Sequence, residues 1–170
     1  DRVRRALRDD WERIHVVPVD QMCLERAAEL GRTQPVRTVD AIHLAAADRL
    51  GATPMDRPEW LAVHPRSREV YVTLTNNDQR GDKVPLDKVN PRPNNLHGHI
   101  LRWNEEGGDP TATRFEWEVF LLAGESEGAR DAHGKSVPAH LTGTIKGDRF
   151  SSPDGLAFDG EGRLWIQTDF

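Results

Sequence analysis

The spacing of apolar residues changes near residue 51, and this change restricts the fold of the 170-residue chain more than any other feature. Before it, apolar side chains recur every three or four residues, as in amphipathic helices. After it, short runs of β-branched and aromatic residues alternate with segments rich in Gly and Pro, which is typical of β-strands joined by turns. We therefore predict two pieces with different secondary structure, residues 1–50 and residues 51–170.

The first piece begins with the pattern of a helix followed by a short strand. Val3, Leu7 and Trp11 recur at intervals of four and would share one helix face. Residues 16–19 form a short apolar run, and the proline within it confines a strand to a sheet edge. A strand among amphipathic helices predicts an α/β fragment.

Two further helices are predicted in the first piece. Asp20 is placed to cap one of them, and Gly31 is placed to end it. Thr38 is placed to cap the next. The predicted apolar stripe of that helix comprises Val39, Ile42, Ala46 and Leu50.

The second piece has the pattern of an all-β fold. No helix period interrupts its short strands, and its connections are long and rich in turn-forming residues, which favours a β-propeller or a β-sandwich. A Gly-containing four-residue segment between two apolar runs predicts a hairpin near the C-terminus. The predicted strands are residues 70–75, 99–103, 115–122, 156–158 and 164–166.

Composition excludes several classes of partner. The net charge of −5 offers no basic surface for nucleic acid, and no apolar run approaches the ~20 residues that span a membrane. The chain begins without a signal-peptide pattern. Its single cysteine, Cys23, cannot form an intramolecular disulfide and has the position of a small buried apolar residue. No feature predicts an oligomeric state.

Three ordered stretches stand out in the first piece: VVPVD at 16–20, the Ala-rich helix after it and RTVDAIHLAAA at 37–47. Through these stretches, residues 2–50 resemble the C-terminal half of a PIN-domain ribonuclease of the toxin–antitoxin type. The resemblance implies a cytoplasmic parent protein and makes Asp40 a Mg²⁺ ligand. One carboxylate does not hold Mg²⁺ in water, so we interpret Asp40 as a solvated first-turn residue and expect no RNA cleavage.

Four ordered blocks stand out in the second piece: LGATPMDRPEW at 50–60, VYVTLTNN at 70–77, NPRPNN with HGHI between 90 and 100, and PDGLAFD through GRLWIQTD between 153 and 169. Through these blocks, residues 48–170 resemble PhoX-type alkaline phosphatases. The resemblance implies part of a β-propeller from a periplasmic or secreted phosphomonoesterase, with Ca²⁺ and Fe³⁺ at the propeller axis. The implied substrate is a phosphate monoester.

Three residues of these blocks are candidate site residues. Arg57 offers a planar fork of N–H donors to a phosphate dianion. Glu59 lies two residues further along an extended segment, so it would point to the same side and could hold a cation. Asp154 lies in a Pro-Asp-Gly turn that could direct its carboxylate inward, where the resemblance implies a calcium ligand. We interpret the neighbouring Asp56 as a turn residue.

Other polar residues of the blocks have alternative interpretations. His97 and His99 prefer softer metals than Ca²⁺, which favours a structural role for both. The remaining candidates suit calcium ligation and turn formation equally well. They are Asn76, Asn77, Asn94 and Asn95.

The predicted function is an incomplete metal-dependent phosphomonoesterase that is inactive alone. The cysteine and the carboxylates that would complete the iron centre of the family are absent, and Cys23 lies outside the PhoX-like part. The alternatives are a remnant of a PIN-type ribonuclease and a non-catalytic calcium-binding propeller fragment. Because both resemblances share an Ala-rich stretch around residues 45–53, we also hypothesise an artificial crossover there.

Overall fold

The computed structural model describes residues 18–169. The chain divides into two compact units, Asp1–Pro54 and Met55–Phe170. The predicted helix at Val3, Leu7 and Trp11 and the first half of the predicted strand at 16–19 lie outside the described residues, and residues 18 and 19 have no regular secondary structure.

The described part of the first unit, residues 18–54, contains two helices, α1 (Gln21–Thr33) and α2 (Thr38–Arg49). The predicted cap of α1 is confirmed, because the Asp20 carboxylate accepts a hydrogen bond from the backbone N–H of Cys23 at 3.1 Å. The predicted end at Gly31 is wrong, since the helix continues to Thr33. Thr38 is the first residue of α2 and does not cap it.

Small side chains form the core between α1 and α2. Cys23 and Ala27 of α1 and Ala41 and Ala45 of α2 are buried. The predicted stripe of α2 is partly wrong, because Val39 is 61% exposed while Ala41 and Ala45 face α1. Alanine has no side chain beyond Cβ, so two helices can approach closely along such a stripe.

The second unit is built on a four-stranded antiparallel sheet with the strand order β1-β2-β3-β4. The strands are β1 (Pro58–Val63), β2 (Val70–Leu74), β3 (His99–Glu105) and β4 (Phe115–Leu122). The last three were predicted from their sequences. β1 was not, and it forms by pairing with β2 between Pro58↔Leu74 and Val63↔Val70.

A hairpin of β5 (Pro153–Phe158) and β6 (Leu164–Thr168) packs against one face of the sheet. The predicted hairpin is therefore confirmed. Its Leu156 lies in an apolar cluster with Tyr71 of β2 and Ile100 of β3, all three of them buried. The opposite face of β2 carries Val72 and Leu74 in a second buried cluster. Both faces of β2 are covered, so this strand is the centre of the unit.

Across residues 18–169, the observed fold is mostly β with two short helices. Residues 18–54 contain helices and no strand, so the described part gives no support to an α/β PIN-like fragment. The strands of residues 55–169 form an open sheet and a hairpin, and they give no support to a closed propeller.

Candidate functional site

Arg57 joins residues from two separate parts of the second unit. Its Nε donates to Glu59 Oε1 at 2.7 Å, and its Nη2 lies 3.1 Å from Asp169 Oδ2. Asp169 follows β6, and its carboxylate lies near that of Asp154 in β5, whose pKa is raised by desolvation and by this neighbouring charge. The predicted proximity of Arg57 and Glu59 is confirmed, and Asp154 lies in the same cluster.

The open end of the β5–β6 hairpin is fixed against β2 by two threonine hydroxyls. Thr73 Oγ1 donates to the carbonyl of Asp154 at 2.7 Å, and Thr75 Oγ1 donates to the carbonyl of Pro153 at 2.9 Å. The backbone N–H of Asp169 donates to the carbonyl of Ser152 at 3.0 Å. Since β2 also pairs with β1, these bonds place Asp154 and Asp169 beside the start of β1.

Two residues that border the cluster have a left-handed backbone. Arg57 has φ 49° and Ser152 has φ 51°. Such conformations are uncommon for residues other than glycine and persist where the surroundings enforce them, often at functional sites. Arg57 is followed by Pro58, which further limits its backbone.

Three carboxylates surround one guanidinium in a half-open setting. The side chains of Arg57, Glu59 and Asp169 are 50%, 33% and 25% exposed. Desolvation raises the pKa of the Asp154 carboxyl, and the charges of Asp169 and Glu59 raise it further. The cluster therefore carries excess negative charge that Arg57 neutralises in part.

A polar layer of mostly buried side chains lies beneath the start of β1. The Asp56 carboxylate is completely buried and accepts hydrogen bonds from Arg80 Nε at 2.8 Å, Asn77 Nδ2 at 2.8 Å and Asn95 Nδ2 at 3.0 Å. Arg80 is 2% exposed, and its Nη2 lies 2.7 Å from the same carboxylate. The interpretation of Asp56 as a simple turn residue was incomplete, because it is the acceptor at the centre of this layer.

The two histidines of the HGHI block bind other parts of the chain. Buried His99 lies between Asn95 Nδ2 at 3.0 Å and the Val89 carbonyl at 2.8 Å, and burial lowers its pKa. His97 Nδ1 lies 3.0 Å from Ser151 Oγ. Both side chains therefore hold loops together, which agrees with the structural role predicted for them.

The described residues do not assemble a complete metal centre. Among residues 18–169, no group of three or more His, Cys, Asp or Glu side chains is arranged to hold an ion. Carboxylate oxygens suit Ca²⁺, yet six to eight oxygen ligands are needed and the cluster supplies few. Asp40 lies in the first turn of α2 and pairs with Arg37 at 2.8 Å.

Sequence reasoning missed Asp169 as a site residue. Asp169 is the last residue of the fourth PhoX-like block, and the sequence alone predicted no role for it. The predicted hairpin is the sequence feature that could have indicated Asp169. Because Pro153 pairs with Thr168, the residues that follow them, Asp154 and Asp169, lie in the same region.

Comparison with known protein families identifies the family that contains this cluster and this fold. A model of the family described as alkaline phosphatase PhoX matches residues 6–170. The chain belongs to the PhoX family. A solved structure described as Pseudomonas fluorescens PhoX in complex with vanadate, a transition state analogue, is 40% identical to this chain, with a TM-score of 0.66. The match covers 82% of this chain and 24% of that chain, so the present chain spans about a quarter of that relative.

The extent of the PhoX match corrects the two-family interpretation. It begins at residue 6 and includes Asp40, so it covers nearly all of the segment for which a PIN resemblance was given. Neither a PIN-domain part nor a crossover near residue 51 has support, because one family accounts for both sides of that position. The Ala-rich helix that suggested PIN is a feature of this PhoX-family sequence.

A comparison with curated proteins and an inspection of the helices each gave a negative result. A search of curated proteins found no match. Within residues 18–169, no helix has the length and apolar character required to cross a membrane.

Proposed function

We propose that this chain is the part of a PhoX-type phosphomonoesterase that supplies the phosphate-binding arginine. The observation that carries the proposal is the convergence of Arg57 with Glu59, Asp154 and Asp169 at the start of β1. Family membership supports a phosphatase, and the relative's vanadate complex supports a site for a phosphate-like group. The four-stranded sheet has the size of one propeller blade.

Each side chain of the cluster has a specific task in this proposal. Arg57 binds two phosphoryl oxygens through its planar fork and orients the ester. Glu59 and Asp154, together with Asp169, hold Arg57 in place and present hard oxygen atoms to a cation. The calcium and iron expected for the family would supply Lewis-acid chemistry when bound, with most ligands contributed by parts of the protein outside this chain.

The chain alone is expected to be inactive. Stabilising a phosphoryl-transfer transition state requires several donors and cations in fixed positions, and loss of one such donor costs roughly 10²–10³ in rate. The substrate class remains phosphate monoesters, and the periplasmic or secreted location is the one expected for the family. We propose no nucleic-acid partner, since the net charge is −5.

A binding titration followed by ³¹P NMR tests the proposal. With Ca²⁺ added, below the concentration at which calcium phosphate precipitates, to offset the excess negative charge of the cluster, inorganic phosphate should bind the purified chain weakly and saturably. Arg57→Ala should abolish the effect. Arg57→Lys should retain only part of it, because lysine keeps the charge but lacks the fork. Arg149→Ala is the matched control, since Arg149 pairs with Glu125 away from the cluster. Equal binding by Arg57→Ala and the wild type would refute the role of Arg57.

Hydrolysis of an aryl phosphate provides the second test. With Ca²⁺ and Fe³⁺ added, the chain should show no turnover above background. Saturable hydrolysis that disappears in Arg57→Ala would overturn the inactive assignment while supporting the site.

A further inference from the structure

The conformation of Arg57 is unfavourable by itself. Its φ of 49° brings Cβ close to the backbone of any residue other than glycine. The following Pro58 restricts the backbone of Arg57 again. A free chain segment would therefore leave this conformation, and the guanidinium would leave the carboxylate cluster with it.

Hydrogen bonds on both sides hold the backbone of Arg57. On the preceding side, the N–H of Asp56 donates to Asn90 Oδ1 at 2.9 Å, and both residues are fully buried. On the following side, the carbonyl of Arg57 accepts from the N–H of Thr75 at 3.1 Å. The N–H of Arg57 donates to the carbonyl of Met55 at 3.0 Å, which closes a tight turn around Asp56.

The side chain of Asp56 sets the direction of this turn. Its two oxygens receive bonds from Arg80, Asn77 and Asn95 in the buried layer, so the carboxylate is fixed toward the interior. With Asp56 fixed inward, the next side chain is directed outward, where Arg57 meets Glu59 and Asp169. A buried carboxylate that is bonded this extensively resists rotation, because any unpaired oxygen would remain without water.

We propose that Asp56, held by Arg80 and Asn90, is a positioning residue that enforces the left-handed backbone of Arg57 and thereby directs its guanidinium to the phosphate. This inference rests on the proposed phosphate-binding role of Arg57. Asp56 itself does not touch the substrate, since it is completely buried.

The first arm of the test measures backbone strain at position 57. Arg57→Gly should unfold at a higher urea concentration than Arg57→Ala, because glycine adopts positive φ without strain. In an Asp56→Asn or Asn90→Ala background, the backbone can relax and the difference should disappear. If Asp56→Asn does not fold, Asn90→Ala, which keeps the Asp56–Arg80 ion pair, decides this arm. The inference is overturned if Arg57→Gly and Arg57→Ala have the same urea midpoint in the parent chain. It is also overturned if their difference in midpoint is unchanged in these backgrounds.

The second arm measures the affinity of the full chain for inorganic phosphate with Arg57 present. Asn90→Ala should raise Kd by about tenfold, which is a partial loss of the binding that Arg57→Ala abolishes. Leu101→Ala is the control, because it weakens an apolar cluster that excludes Asp56 and should leave Kd within about twofold. Unchanged affinity in Asn90→Ala would contradict the positioning role. If the parent chain binds no phosphate, the proposed function fails, and the strain measurement alone decides the inference.

Discussion

Removing Arg80 should cost the second unit a large share of its stability. Arg80→Met leaves the fully buried carboxylate of Asp56 with two amide donors, Asn77 and Asn95, and without its counter-ion. The variant also loses the bond from Arg80 Nη1 to the carbonyl of Pro85 at 2.7 Å. Breaking a buried pair by removing one partner costs about 3–5 kcal/mol, against a total of about 5–15 kcal/mol for a typical domain.

A double-mutant cycle measured by urea denaturation separates the ion pair from general packing. Asp56→Asn combined with Arg80→Met should be less destabilising than the sum of the single changes, with a coupling of about 1–3 kcal/mol. The matched control is Arg149→Met, which removes an exposed pair with Glu125 and should change stability by less than about 1 kcal/mol. If Arg80→Met costs no more than Arg149→Met, or if the cycle is additive, the buried pair does not have the role assigned to it.

Three further predictions concern the hairpin, a tight turn and the carboxylate cluster. Leu156→Ala should destabilise the second unit by about 2–5 kcal/mol in urea denaturation, whereas the exposed Leu86→Ala should have little effect; equal effects would contradict the packing of the hairpin on the sheet. Gly98→Ala should prevent folding, as measured by circular dichroism, because the added Cβ would meet the carbonyl of Thr75. The control is Gly128→Ala, which has a similar φ and open space and should cost only about 1–2 kcal/mol of stability. A folded Gly98→Ala variant would refute this close approach. The raised pKa of Asp154 means that the folded state binds the proton of this carboxyl more tightly than the unfolded state does. The contribution of Asp154 to the free energy of unfolding therefore falls as pH rises from the unfolded pKa through the folded pKa. Asp154→Asn should therefore raise the urea midpoint at neutral pH, and a lowered midpoint would contradict the like-charge argument.

The sequence by itself determined the elements that depend on neighbours along the chain. Strands β2, β3 and β4 and the β5–β6 hairpin follow from alternation and turn residues, which act within a few positions. The cap at Asp20 follows for the same reason. The closeness of Arg57 and Glu59 was also predictable, because residues two apart on an extended segment share a side. The blocks around them were sufficient to indicate the PhoX family.

Only the tertiary structure decided which distant residues meet. Asp56 and Arg80 are 24 positions apart, and no local pattern marks either as buried. Asp169 reaches Arg57 through strand pairing and hairpin packing, and the Ala41–Ala45 stripe is selected by close approach to α1. These contacts depend on desolvation and on packing between residues far apart in sequence. Both effects contribute free energy only after the chain has brought its separated parts together. A short local pattern likewise suggested PIN for residues 2–50, where the match over nearly the whole chain indicates PhoX.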